Sequence, residues 1–161
     1  MNVFQFAKQM EKEGEGYYRE LAQKTGARGL KGILTMLAEA ELSHYRAFEN
    51  MEKRLPAQLP DTPILTDAKA IFAQMRGEHE TVAAEQKQIV LYRKALEIEK
   101  KSRDFYEKHA GEAASPDQKA AFLKIADQEK QHYRIVEAMI DLVMQPERWL
   151  ENAEWHHLDE Y

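Results

Sequence analysis

The stretch ELSHYR at residues 41–46 recurs as EKQHYR at residues 129–134, and this repetition decides the fold. Shifting the sequence on itself by 88 residues, without a gap, also places Glu11 on Glu99. Each of these two glutamates is followed seven residues later by a tyrosine. Both halves of the chain therefore contain Glu, then Tyr, then Glu-x-x-His in the same order. The repeat predicts two copies of one helical hairpin.

The repeated polar residues fall on helix faces that are otherwise apolar. Residues three, four or seven apart lie on the same side of an α-helix, so Glu11 shares a face with Tyr18, and Glu41 with His44. The apolar residues on the corresponding face of the last helix are Phe122, Ile125, Val136 and Met139. This pattern predicts that the Glu and His side chains point into the core of the protein.

Hydrophobic periodicity and the positions of proline predict an all-α fold. We predict long helices over about 3–24, 27–54, 80–110 and 116–144, and a short helix over 67–76. Gly26 is expected to cap the first helix, and Ser115 is expected to open the last one, with Gln118 completing a capping box. The connection between the second and third long helices is long and rich in proline. It predicts a ferritin-like four-helix bundle with one long crossover.

The length of the chain indicates one domain. With 161 residues, of which 43% are apolar, the chain can bury a substantial core. We assign residues 1–145 to the ferritin-like bundle that holds the metal site. Residues 146–161, which contain Trp149 and Trp155, are assigned to an aromatic C-terminal tail expected to pack back on the bundle.

The composition excludes several classes of function. The chain contains no cysteine, so disulfides, thiolate metal sites and iron–sulfur centres are excluded. Its net charge is −5 with both signs interspersed, which does not favour nucleic acid as a partner. No apolar run approaches the roughly 20 residues of a membrane span. Residues 1–10 include Lys8 and do not resemble a signal peptide, so we expect a cytoplasmic protein.

Four carboxylates at one level of the interior require a compensating charge. They repel one another, and each loses its hydration on burial. Two divalent cations would balance them, and two neutral imidazoles would complete the ligand shell. One Glu from each of two helices plus Glu-x-x-His from each of the other two is the arrangement of di-iron and di-manganese bundles. The predicted metal ligands are Glu11, Glu41, His44, Glu99, Glu129 and His132.

The donor types narrow the choice of metal. Carboxylate oxygens with two imidazoles suit two iron ions or manganese, and zinc can also occupy such a site. Glu41 and Glu129 are the expected bridging ligands, because the two Glu-x-x-His helices face one another in this arrangement. Tyr18 and Tyr106 are expected to hydrogen-bond a ligand carboxylate or to supply an electron or proton, with ordinary core packing as the alternative.

At these residues the sequence resembles the rubrerythrin family. MEKEGEGYYREL at residues 10–21 resembles its first helix, ADQEKQH at residues 126–132 resembles its fourth, and the resemblance covers nearly all of residues 1–145. It implies a ferritin-like fold and a non-haem di-iron centre that uses the six predicted ligands. It also implies reaction with hydrogen peroxide or oxygen, and a homodimer.

Two departures from that family separate the candidate functions. Full-length rubrerythrins carry a rubredoxin domain with four cysteines, whereas this chain has none, so a separate protein is expected to donate electrons. They also carry an extra carboxylate one turn after the third-helix Glu, where this chain has Ser102. The ligand exchange that this carboxylate supports, and the peroxidase activity that depends on it, are therefore not implied. Glu15 is the candidate substitute for it.

The expected function is that of an oxidoreductase, in which a reduced metal pair delivers two electrons to peroxide or oxygen. A second hypothesis is oxidation of ferrous iron for storage or detoxification, with the metal as substrate. A third is a substrate hydroxylase, and a fourth is a structural bundle that binds adventitious zinc.

Overall fold

The structure, a computed structural model, describes residues 1–146, 148 and 149, and this part of the chain contains helices and no strand. The helices are α1 (Val3–Lys24), α2 (Arg28–Glu52), α3 (Ile64–Gly77), α4 (Gln86–Gly111) and α5 (Pro116–Met144). The four long helices are α1, α2, α4 and α5, and α3 lies within the connection from α2 to α4. The all-α, ferritin-like bundle with one long crossover is thereby confirmed. None of the described helices combines the length and the apolar character needed to cross a membrane.

The two predicted hairpins are the main packing units. Backbone contacts are most extensive between α1 and α2, and between α4 and α5, which are joined by short links. The short helix α3 packs against α2 and α5, so it lies across the two hairpins. The side chains of Ile64, Phe72 and Met75 bury this helix against the bundle.

Side-chain caps fix the starts of α1 and α5. At α1, the Asn2 side chain accepts a hydrogen bond from the Gln5 backbone at 2.9 Å, and the Gln5 side chain accepts one from the Asn2 backbone at 3.1 Å. At α5, Ser115 Oγ accepts from the Gln118 backbone at 3.1 Å, as predicted. The Gln118 side chain, however, accepts from the Ala114 backbone at 3.4 Å instead of closing the box on Ser115.

The prediction that Gly26 caps α1 was wrong. The cap is Thr25, whose extended backbone ends the helix, and no glycine of the described chain has a positive φ. The left-handed conformation that favours glycine is adopted instead by Arg54 and His79, just beyond α2 and α3. At α2 the Leu55 amide bonds the Asn50 carbonyl at 2.8 Å, which fixes Arg54 in that conformation.

The expected start of α4 near residue 80 was also wrong: α4 begins at Gln86, and Glu80 instead contacts the start of α2. Its Oε1 accepts a hydrogen bond from the Gly29 amide at 2.8 Å, in the first turn of α2, where Ala27 provides no side-chain cap. The chain then runs without helix over residues 81–85. A Cβ at Gly29 would lie 2.3 Å from Cγ and Sδ of Met75, so a larger residue at this position would force the Met75 side chain to move.

The apolar core is divided into two clusters by a polar layer. One cluster contains Tyr18, Leu37 and Val136, and the other contains Phe48 and Phe122. Along each long helix the predicted ligands fall between residues of the two clusters. The fold therefore places the repeated Glu and His residues in the middle of the bundle.

The start of the aromatic tail contacts the bundle. Trp149 is buried, with its ring edge-on to Phe72 at 4.8 Å between centroids. The rest of the tail, including Trp155, lies outside the described residues, and the division at residue 145 stays a prediction.

Candidate metal centre

The fold brings all six predicted ligands together. They form two overlapping groups in which the potential ligand atoms lie within 4.8 Å of one another. The first group is Glu11, Glu41, His44 and Glu129, and the second is Glu41, Glu99, Glu129 and His132. Glu41 and Glu129 belong to both groups. Every one of these side chains is at most 3% exposed.

The Nδ1 atom of each histidine faces the carboxylates. His44 Nδ1 lies 2.9 Å from Glu129 Oε1 and 3.5 Å from Glu11 Oε2. His132 Nδ1 lies 3.0 Å from Glu41 Oε1 and 3.4 Å from Glu99 Oε1. The two imidazole rings are nearly parallel, with centroids 5.7 Å apart. The repeat in the sequence thus becomes a two-fold arrangement of donor atoms around one centre.

The two tyrosines connect the hairpins. Tyr18 of α1 donates a hydrogen bond to Glu99 Oε1 of α4 at 2.5 Å, and Tyr106 of α4 donates one to Glu11 Oε1 of α1 at 2.6 Å. Burial and the charge of the adjacent glutamate raise the pKa of both phenols well above its ordinary value. Both therefore remain protonated donors, and each leaves the second oxygen of its glutamate unused.

Several donor atoms of the cluster have no hydrogen-bond partner. They are Glu11 Oε2, Glu99 Oε2, both carboxylate oxygens of Glu129, and His44 Nδ1. The 2.9 Å approach of His44 to Glu129 does not have the angles of a hydrogen bond. Within the described chain, the ion pairs of the four carboxylates involve only the two histidines. Buried, unpaired oxygen and nitrogen donors in two overlapping groups fit a pair of metal ions.

Burial and mutual repulsion favour the protonated forms of the two glutamates that both groups share. Burial raises the pKa of Glu41 well above its ordinary value, and the charges of Glu11, Glu129 and Glu99 raise it further. The pKa of Glu129 is raised well above its ordinary value for the same reasons. A metal ion therefore competes with a proton for either carboxylate.

The pKa values of Glu11, Glu99 and His44 shift in the direction that favours their charged forms. Burial alone would raise the pKa of Glu11, but the charge of His44 and nearby hydrogen bonds lower it. The pKa of Glu99 is lowered in the same way by His132. For His44, burial would lower the pKa, but the charge of Glu11 outweighs this effect and raises it well above its ordinary value.

Glu15 does not substitute for the missing extra carboxylate. Its Oε1 lies 3.1 Å from Lys12 Nζ and its Oε2 lies 2.9 Å from an Arg19 guanidinium nitrogen, and it belongs to neither ligand group. Ser102 is buried one turn after Glu99. The described cluster therefore has four carboxylates and two imidazoles.

Sequence reasoning missed Gln128. Its Oε1 lies 2.6 Å from His44 Nε2, on the side of the ring away from the carboxylates. The available signal was its position immediately before Glu129 in the repeated motif, where the first copy has Ala40 before Glu41. A mismatch inside a repeat does not by itself reveal a contact between helices.

Comparison with known proteins agrees with this geometry. The sequence model of the rubrerythrin family matches residues 2–140, which include all six residues of the cluster. No curated protein and no solved structure matches the chain.

Metal binding is expected to release protons and to weaken as the pH falls. The pKa values of Glu41, Glu129 and His44 are raised, yet only the deprotonated forms of these residues bind a metal ion. Calorimetric titration of the metal-free protein with Zn²⁺ in buffers of different ionisation enthalpy should therefore show proton release, and the apparent affinity should fall as the pH is lowered. A heat that does not depend on the buffer, with an affinity that does not depend on pH, would contradict the raised pKa values.

Substitution of Gly14 is expected to disturb the cluster. A Cβ at Gly14 would lie 3.0 Å from Glu41 Oε2, whereas one at Gly16 would meet nothing within 4 Å. Replacing glycine by alanine inside a helix stabilises it by about 1 kcal/mol. Gly16→Ala should show this gain in chemical denaturation with unchanged metal content. Gly14→Ala should gain less and bind metal more weakly, and equal behaviour of the two variants would refute the crowding argument.

Proposed function

Because the chain belongs to the rubrerythrin family, we propose that it is a non-haem di-iron oxidoreductase that reduces hydrogen peroxide or oxygen. The electrons come from a separate donor protein, since the chain has no cysteine with which to hold an iron–sulfur or rubredoxin-type centre. The proposal depends on one observation, the two buried groups of donor atoms that share Glu41 and Glu129. A homodimer and a cytoplasmic location stay predictions from the sequence.

The two shared glutamates indicate which ligands would bind each metal position. Glu41 and Glu129 would bridge the two iron ions because they belong to both groups. Glu11 and His44 would complete one position, and Glu99 and His132 the other. When bound, a pair of ferrous ions would supply one electron each, and these two electrons together with two protons convert hydrogen peroxide to two water molecules.

The chain's own residues provide orientation and exclude water. Tyr18 and Tyr106 hold one oxygen of Glu99 and of Glu11, so each carboxylate presents its other oxygen to the centre. Because each phenol comes from the opposite hairpin, the same bonds hold α1 against α4. The apolar clusters on both sides of the polar layer keep bulk water away from the cluster.

Oxidation of ferrous iron, with the metal as substrate, is the second candidate function. It is favoured by the cluster itself, which has Ser102 in place of the extra carboxylate and in which Glu15 is bonded to Lys12 and Arg19. Six ligands without a seventh carboxylate suit a centre that oxidises iron and then releases it. The same set also suits a centre that keeps its iron and is reduced again after each turnover.

Rapid mixing of the anaerobically loaded ferrous protein with peroxide, and separately with oxygen, distinguishes the two functions. The proposed oxidoreductase should be oxidised faster by peroxide and should cycle when a reducing donor is added. Oxidation of many iron ions per chain, without a donor, would favour the second candidate. Absence of oxidation by either reagent would rule out both.

The metal content of variants is the matching control on the site. The double variant Glu41→Ala, Glu129→Ala should lose nearly all bound iron, because both groups lose their shared ligands. Glu15→Ala removes a buried carboxylate of the same helix face outside the cluster and should retain iron. Equal metal content in these two variants would exclude the assigned ligands.

A further inference from the structure

The two-fold arrangement of the cluster is broken at the outer nitrogen of each imidazole. On one side, His44 Nε2 donates to Gln128 Oε1 at 2.6 Å. The residue that corresponds to Gln128 in the other half is Ala40, whose methyl group can neither donate nor accept a hydrogen bond. His132 therefore lacks the amide partner that His44 has.

The hydrogen bond from His44 to Gln128 determines which nitrogen of His44 is free. A neutral imidazole has one protonated and one unprotonated nitrogen. In the neutral form that binds a metal ion, the remaining proton of His44 is on Nε2 and directed at Gln128, so that Nδ1, which faces the carboxylates, is the free nitrogen. Such outer partners fix the orientation of a ligand histidine, and their removal typically weakens metal binding about 10- to 100-fold.

The structure contains a small cavity beside His132 and Ala40. Its volume is about 20 Å³, and its polar lining residues are Ser43, Thr62, His132 and Gln128, whose Oε1 is bonded to His44. A cavity needs roughly 10–15 Å³ to hold a water molecule, so this one accommodates a single water. The hydroxyl groups of Ser43 and Thr62 are polar partners of the kind that a buried water requires.

We propose that Gln128 is a positioning residue that makes the metal position at His44 the tighter of the two. The position at His132 is the weaker one, because a water molecule in the cavity replaces a fixed amide as the partner of its imidazole. This inference rests on the proposed metal cluster. It adds the order in which the two positions bind metal: the position at His44 fills first, and the position at His132 exchanges its metal more readily.

Titration of the metal-free full-length protein with Co²⁺, followed by its visible absorption, tests the order of filling. Two steps are expected for the unaltered protein. Because repulsion between two bound cations also separates the steps, the decisive comparison is with variants. Gln128→Ala should weaken the first step by about tenfold and leave the second nearly unchanged, so that the steps merge.

The matched control is Gln131→Ala, which removes a glutamine of the same helix that bonds Asp127 at the surface. Its two steps should equal those of the unaltered protein. Ala40→Gln offers His132 the missing amide and should tighten the second step. Should this larger side chain prevent folding, as judged by circular dichroism, Gln128→Ala alone decides.

Three results would overturn the inference. They are unchanged steps in Gln128→Ala, equal weakening of both steps in that variant, and the same loss in Gln131→Ala. Failure of the unaltered protein to bind Co²⁺ at all is a different outcome, because it removes the metal cluster itself and the proposed function with it.

Discussion

Four carboxylates held within one buried layer are the constraint on which the rest of this structure depends. Each would be more stable in water, and together they repel. Without cations, burial and this repulsion raise the pKa values of Glu41 and Glu129, and the negative charge around His44 raises the pKa of its imidazole. Burying four carboxylates destabilises the folded protein, so the arrangement is explained by a functional site that binds cations.

The polar layer also determines how the two hairpins are joined. Backbone contacts lie mainly within each hairpin, and side chains of the two apolar clusters and of the polar layer join the hairpins. The crossed hydrogen bonds of Tyr18 with Glu99 and of Tyr106 with Glu11 connect them at the level of the cluster. The residues that orient the carboxylates therefore also set the distance between the helices that carry them.

The repeat makes the two halves of the site nearly symmetric, and single residue differences between the two copies break this symmetry. Gly14 corresponds to Ser102, and its missing side chain leaves room for Glu41 Oε2. Gln128 corresponds to Ala40, and only Gln128 reaches a ligand imidazole. The crossover adds a further difference between the two sides of the bundle, because α3 packs against α2 and α5 on one side. Two equivalent halves thus produce two unequal surroundings for one centre.

Sequence by itself determined the helical class, the repeat, the long crossover and the six residues of the cluster, since periodicity and spacing along one helix fix which side chains share a face. Tertiary structure alone decided that Tyr18 bonds the glutamate of the opposite hairpin, that Gln128 bonds His44, and that Glu80 caps α2. These contacts join residues 51 to 84 positions apart and depend on the rotation and axial offset of neighbouring helices. Local sequence fixes neither quantity, because both result from the packing of all side chains at once.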